Sequence, residues 1–355
     1  MPGRERYRTI VGAFARTRVA VIGDLIADEF IYGEVARVSR EAPVLILEYD
    51  STMLVPGGAG NAANNAAALG ARVTVVGAVG RDAEGRRLVD ALSESADTTH
   101  VVRMRGATTV KTRILAGGVH SAKQQVVRID KASNVASPAL RRQVRTALVG
   151  ALHAADVVVV SDYGSGLVTP DLIKSAVARS RKMSRSEPLV FVDSRHGLSG
   201  YTGVTACTPN ESEVEALFGV RIGDDLDALE RAGRRLLGML DSRAVLITRG
   251  SRGMALFEPD RRTEHIPIVG SDEIADVTGA GDTVIATFAL AVASGATFSE
   301  AAHLANYAGG LVVMKRGTAT VTARELLSAV GGPRTPRAGA PRAAAARAGA
   351  ARKGA

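Results

Sequence analysis

The sequence has no tryptophan and a single cysteine, Cys207. One thiol excludes an intramolecular disulfide, which fits a reducing compartment and a cytoplasmic address. No apolar run is long enough to span a bilayer, so membrane insertion is not expected. The opening residues, Met1 to Arg18, are basic but have no apolar core of the kind a secretion signal carries, and none is expected. No Gly-x-x-x-x-Gly-Lys-Ser/Thr element occurs, which excludes a P-loop nucleotide site.

What the chain does have is apolar content and positive charge. Apolar residues make up 46% of 355, enough for a substantial core in one large domain or two small ones. A net charge of +9 suggests a nucleic-acid partner, but its location argues otherwise. Pro333 to Ala355 carries Arg334, Arg337, Arg342, Arg347, Arg352 and Lys353 with no acid, and is otherwise almost wholly Ala, Gly and Pro. Such a segment has too few large side chains to fold independently, so residues 331–355 are read as a disordered, solvated tail. The alternative is weak contact with an anionic polymer or membrane surface. No specific nucleic-acid partner is expected.

The body alternates apolar strands with helical stretches. Arg18–Gly23, Arg72–Gly77, Val157–Ser161, Leu189–Asp193, Val204–Thr208 and Ala244–Thr248 read as buried strands. Asn61–Leu69, Asp82–Leu92, Pro170–Arg181, Glu211–Leu217 and Asp224–Leu240 read as helices. That rhythm predicts an α/β fold with a mostly parallel central sheet covered on both faces. Ligands in such sheets bind at the carboxyl ends of the strands, where Asp24, Asp162, Asp193 and Thr248 fall. Two segments break the rhythm. Phe30–Tyr49 is one; the other is a hairpin of Thr109–Leu115, a turn near Gly117-Gly118, and Gln125–Asp130. Both suit an exposed antiparallel sheet, either a lid or a plain edge sheet.

The most informative segment is Asp276-Val277-Thr278-Gly279-Ala280-Gly281-Asp282, between a strand-like stretch (His265 to Val269) and an apolar one (Thr283 to Ala293). A small-residue turn at a helix start points free backbone N–H groups at an anion, and the helix dipole adds positive potential. Asp282 at that mouth is placed to accept a proton from an attacking hydroxyl.

This heptad resembles the Asp-Thr-x-Gly-Ala-Gly-Asp signature of the ribokinase-like (PfkB) family of small-molecule kinases, with Val277 at the Thr position. Further landmarks of that family follow in order. They are the strand ending in Gly23-Asp24, the glycine pair in Pro56-Gly57-Gly58-Ala59-Gly60-Asn61, and Asn210-Glu211-Ser212-Glu213 as the Asn-x-x-Glu motif. The resemblance spans roughly residues 15–330. It implies a ribokinase-like kinase domain over 1–330 with a small β-sheet lid near 30–50 and 108–130, and a homodimer through that lid.

The resemblance also implies roles. Asp282 is the base, and Gly279, Ala280 and Gly281 form the anion hole for the transferring phosphoryl group. Asp24, Gly57, Gly58 and Asn61 form the sugar cradle. ATP lies near Asn210, Thr248, Gly250, Gly253 and Asn306, with magnesium held through water by Asn210 and Glu213, and potassium near Asp276. Each residue also admits a plainer role. Asp282 would complement a helix dipole. Asn210 and Glu213 would form a capping box. Asp276 would be a turn acid and Asp24 a helix cap. Gly250 to Gly253 would make an ordinary hairpin turn.

Within the family the chain resembles the branch that phosphorylates D-glycero-D-manno-heptose 7-phosphate at O1. The segments are Ser39–Val44, Gly57–Asn65, Gln124–Asp130, Ser161–Gly164, Thr208–Asn210 and Gly317–Val321. Such an acceptor carries a phosphate, so Lys111, Arg113 and Arg128 on the lid hairpin are candidates to bind it by charge and position; a solvated charged face is the plainer reading. Arg40, Ser165 and Ser194-Arg195 depart from the branch, which has Pro, Lys and Pro-Lys there. Arg195 is placed to restore the lost cation near the phosphates. Many branch members carry an adenylyl-transferring domain with His-x-Gly-His, a motif absent here, so a separate adenylyltransferase is expected. The alternatives are a kinase of ribose, fructose, a ketodeoxygluconate or a nucleoside such as adenosine, or a silent sugar-phosphate-binding relative.

Overall fold

A computed structural model of the chain describes residues 3–117, 123–133, 137–181, 188–269, 276–315 and 317–331. The basic tail and the turn expected at Gly118 lie outside the described residues. The first half runs α1 (Arg4–Ala13), β1 (Arg18–Gly23), β2 (Leu25–Val38), β3 (Leu45–Gly58), α2 (Ala59–Ala68), β4 (Arg72–Gly80), α3 (Ala83–Ser93), β5 (Val101–Met104), β6 (Thr109–Gly117), β7 (Gln124–Lys131) and α4 (Pro138–Leu152). The second runs β8 (Val157–Asp162), α5 (Pro170–Arg181), β9 (Leu189–Ser194), β10 (Ala206–Cys207), α6 (Glu211–Phe218), α7 (Leu226–Leu240), β11 (Ala244–Thr248), β12 (Met254–Phe257), β13 (Glu264–Ile266), α8 (Ala280–Ala293), α9 (Phe298–Val312) and α10 (Ala323–Gly331).

Among the described residues the strands form two sheets. The larger has nine strands in the order β13-β12-β11-β10-β9-β8-β1-β4-β5. It is parallel from β11 to β5, with β12 and β13 antiparallel at one edge. The apolar runs of the central strands follow from burial on both faces. In β1, Val19 and Val21 pack into one core with α1, α2, α3, α8, α9 and α10. Ala20 and Ile22 point the other way, into a second core with α4, α5, α6 and α7. From β1 the chain order moves outward to β4 on one side and to β8 on the other. That reversal opens a crevice at the carboxyl ends of β1 and β8.

The smaller sheet, β3-β2-β6-β7, is the lid. Its strands are longer than the sequence pattern suggested. Strand β2 starts at Leu25, one residue past Asp24, and β3 runs on to Gly58 at the start of α2. The pairing of Leu25 with Gly58 and Ile26 with Gly57 ties the lid to the main sheet at the acceptor end. Elsewhere elements shrink. The Val204–Thr208 run pairs only over Ala206–Cys207. Helix α7 begins at Leu226 because the Asp225 side chain caps it by accepting from the Ala228 N–H.

Candidate active site

The turn before α8 has the geometry of an anion site. Gly279 is the N-cap with φ +77°, a left-handed conformation, and a Cβ there would lie 2.3 Å from Asn61 Nδ2. Gly281 is different: a Cβ on it meets nothing nearer than Asp193 Oδ2 at 3.6 Å. Asp282 lies in the first turn of α8 and is almost fully buried. Burial pushes its carboxyl up to about 7, against the Asn61 hydrogen bond that lowers it.

A chain of amides supports this acid from α2. Asn61 Nδ2 donates to Asp282 Oδ2 at 2.8 Å and to the Gly279 carbonyl at 3.4 Å. Asn65 Nδ2 donates to Asn61 Oδ1 at 3.1 Å, and the Thr283 hydroxyl donates to Asn65 Oδ1 at 2.8 Å. Sequence reasoning placed Asn61 with the sugar and missed Asn65. The signal was two amides four apart on one face of an Ala-rich helix. The Tyr163 hydroxyl also reaches Asp282, donating to Oδ1 at 3.4 Å.

Two adjoining cavities lie at this site, and Asp282 lines the first. The first, of about 220 Å³, is lined by the strand-end residues Asp162, Asp193, Thr208 and Thr248, by Arg195, by Asn210 and Glu213 of the α6 start, and by the α8 turn. The second, of about 240 Å³, lies toward the lid, between Asp24, Lys111, Asp130, Lys131 and Ser165. Tyr163 and Arg195 line both.

In the first cavity Asn210 and Glu213 form a complete capping box, each side chain accepting from the other's backbone N–H at 2.9 Å. The plainer reading therefore holds, and both residues still face the cavity. Asp193, which the sequence reading placed in the cleft but gave no role, is partly buried on the cavity wall. Burial, then Glu213 and Asp282, drive its carboxyl well above the usual range. Against the carboxylates of Asp162, Asp193, Glu213 and Asp282, the cavity lining has one cation, Arg195. The buried Thr208 hydroxyl on the same wall has no hydrogen-bond partner. A carboxylate-rich cavity short of positive charge fits magnesium arriving on nucleotide phosphates. No cluster among the described residues would hold a metal by itself, so phosphates and water must complete the shell. Gly250 and Gly253 bracket a tight turn between β11 and β12, and Arg249 just before it is locked by Glu211 at 2.8 Å. Asn306 is buried on α9 and donates to the Pro267 carbonyl at 2.7 Å, away from the residues that line the cavity.

On the acceptor side the lid cations separate. Arg113 is paired with Asp28 at 2.6 Å, both side chains largely buried. Arg128 is exposed and paired with Asp130 at 2.8 Å. Neither lines the acceptor cavity; Lys111 does, with no ion-pair partner within 4.0 Å among the described residues. Asp24 is already engaged: Oδ2 accepts from the Tyr163 and Ser165 N–H groups at 2.8 and 3.2 Å, and Oδ1 from the Ser165 hydroxyl. A Cβ on Gly57 would lie 2.1 Å from Asp28 Oδ2, so this glycine makes room for the buried Asp28. Asp276 accepts from the Thr278 N–H at 2.9 Å and the Gly317 N–H at 3.1 Å, bracing the α8 turn against the segment before α10.

Known proteins match this arrangement. A family model described as pfkB family carbohydrate kinase matches residues 16–324. The chain belongs to the pfkB family of carbohydrate kinases. Like other pfkB kinases it is a phosphotransferase with an alcohol group as acceptor. It is 41% identical over 331 residues to the Bifunctional protein HldE of Geobacter sulfurreducens, covering 92% of this chain and 66% of that protein. It is 41% identical over 322 residues to the Bifunctional protein HldE of Gluconacetobacter diazotrophicus, covering 89% and 64%. The chain thus spans less than two thirds of the length of these pfkB relatives. Its fold matches Arabidopsis thaliana ribokinase complexed with ribose and ATP, at TM-score 0.68 and 19% identity over 89% of this chain and 99% of that one. It also matches Escherichia coli phosphofructokinase-2 in complex with potassium, at TM-score 0.72 and 18% identity over 89% and 98%. Among the described residues no helix is long and apolar enough to cross a membrane.

Proposed function

We propose that this pfkB kinase transfers the γ-phosphoryl group of ATP to O1 of D-glycero-D-manno-heptose 7-phosphate, giving the 1,7-bisphosphate. The observation that carries the reading is a buried carboxylate, Asp282, in the first turn of α8, lining a carboxylate-rich cavity that adjoins a lysine-lined one. Asp282 Oδ1, whose one hydrogen-bond partner among the described residues is the Tyr163 hydroxyl at 3.4 Å, accepts the O1 proton. The new P–O1 bond forms as the bond to the β-phosphate oxygen breaks, and ADP leaves. The N–H groups of Gly279 and Gly281 receive the phosphoryl oxygens, while the Ala280 N–H, which the sequence reading included, donates to the Val277 carbonyl at 3.3 Å. Asn210, Thr248 and Arg195 line the nucleotide side. Asn210 and Glu213 would hold magnesium through water, where it would spread the phosphate charge. A monovalent cation beside Asp276 is supported by the potassium complex of phosphofructokinase-2.

The similarity to HldE proteins supports the heptose acceptor, as does Lys111, a cation of the lid-side cavity with no ion-pair partner within 4.0 Å among the described residues. The test is ATP consumption against heptose 7-phosphate, ribose, fructose, fructose 6-phosphate, ketodeoxygluconate and adenosine, with magnesium and potassium present. A strong preference for heptose 7-phosphate is expected. Preferential turnover of an unphosphorylated sugar rejects the acceptor while leaving the kinase chemistry in place.

A further inference from the structure

Tyr163 stands between the two cavities, and neither the signature motif nor its usual landmarks account for it. It follows the last residue of β8, and its N–H donates to Asp24 Oδ2 at 2.8 Å, which fixes the backbone there. Its hydroxyl donates to both oxygens of Asp282, at 3.4 and 3.5 Å. Lys111 Nζ lies 4.9 Å from its ring centroid and Arg195 Cζ lies 5.3 Å from it. One aromatic side chain thus touches the base, the lysine of the acceptor cavity and the arginine of the nucleotide cavity.

We propose that Tyr163 is the positioning residue of the phosphoryl-transfer site: its hydroxyl orients the Asp282 carboxylate, and its ring seats Lys111 and Arg195 on the acceptor and nucleotide sides. The inference rests on Asp282 acting as the base. Ring faces hold cations most strongly where water is excluded, and this ring is half-buried between the two cavities. Asp282 and nearby carboxylates raise the phenol well above its ordinary value, so it stays protonated and remains a donor. Charged groups face Asp282 from several elements: Asp28 from β2, Lys111 from β6, Asp162 from β8, Asp193 and Arg195 from the end of β9, and Glu213 from α6. Tyr163 and Asn61 are the side-chain donors on its carboxylate among the described residues. Asn61 binds Oδ2, which leaves Tyr163 to govern Oδ1, the oxygen that meets the acceptor hydroxyl.

The test separates hydroxyl from ring in the full-length enzyme. Tyr163→Phe keeps the ring and removes one hydrogen bond that favours the ionised base. The acid limb of kcat/KM should move up by about half to one pH unit, with turnover recovering at alkaline pH and acceptor KM little changed. Site-specific 3-fluorotyrosine, a stronger donor, should move the limb down. Tyr163→Leu removes the platform as well and should raise the KM of a phosphorylated acceptor about tenfold. An acid limb unmoved in Tyr163→Phe, alongside an inactive Asp282→Asn, overturns the role of Tyr163 and leaves the base in place. Near-normal turnover of Asp282→Asn overturns the base, and this role falls with it.

Discussion

At the residue scale, Asp282 shows how a buried carboxylate conflicts with stability. Burial raises its carboxyl from 3.8 to about 7. The folded chain therefore holds this proton over a range where the unfolded chain releases it. Stability from this group is full below about pH 4 and is lost as pH rises to about 7, on the order of 4 kcal/mol at about 1.4 kcal/mol per pH unit. Asp282→Asn removes the charge and keeps the shape, with its amide oxygen available to Asn61. It is expected to lower turnover by roughly 10²–10⁴ and to melt higher than the wild type at pH 8. Thermal melts across pH check this: the difference should vanish toward pH 4, and a pH-independent difference would reject the buried-charge account. The wild-type kcat/KM should fall about tenfold per unit below pH 7 as the base is protonated. The two glycines beside it should respond differently. Gly279→Ala forces a left-handed Ala against Asn61, costing at least ~1–2 kcal/mol as well as activity. Gly281→Ala meets no close atom, so it should melt normally while kcat drops, because its Cβ fills space meant for the phosphoryl group. Comparable loss of melting temperature in both would place the demand on packing.

At the element scale, the lid sorts its cations by partner, and this is testable in one series. Lys111→Met is expected to raise acceptor KM at least ~10-fold with a smaller change in ATP KM, while Arg128→Met leaves both near normal. Arg113→Met leaves Asp28 charged and unpaired under the glycine pair, which should cost ~3 kcal/mol and appear mainly as a lower melting temperature. Steady-state kinetics and melting of the three variants decide it; equal KM effects from Lys111 and Arg128 would reject the assignment. The parallel strands were legible in the sequence because burial on both faces writes itself as an unbroken apolar run, as in Val157–Val160. The placing of Asp282, the glycine turn and the Asn210/Glu213 box was legible for a similar reason: each is a local pattern on a helix start. The fate of Arg113 was not legible, since Asp28 lies 85 residues away and reads as a polar residue in an exposed strand. Nor was Asn306, whose amide is committed to the Pro267 carbonyl. Tyr163, Asn65 and Asp193 acquire roles only when β8, α2 and β9 converge on α8, a meeting that no single segment encodes.

At the scale of the whole molecule, the lid has surface to spare. Every residue of β7 is exposed, and as the outer strand of its sheet it offers unpaired backbone groups along one edge. Val127 and Ile129, two apart and so on one face, are 47% and 54% exposed. Exposed Val38, Leu45, Tyr49 and Met53 extend the apolar surface onto β2 and β3. A sheet this exposed would invite uncontrolled pairing unless something covers it, and a second lid related by twofold symmetry would cover it with the same chemistry. The covering would also bear on the site, because Asp130 and Lys131 at the end of β7 line the acceptor cavity. Light scattering should therefore give twice the monomer mass at micromolar concentration. The double variant Val127→Lys/Ile129→Lys should give the monomer mass, with acceptor KM raised several-fold and kcat largely kept. A wild type that scatters as a monomer, or a monomeric double variant with unchanged acceptor KM, would separate the lid's exposure from catalysis and leave its apolar face to another partner.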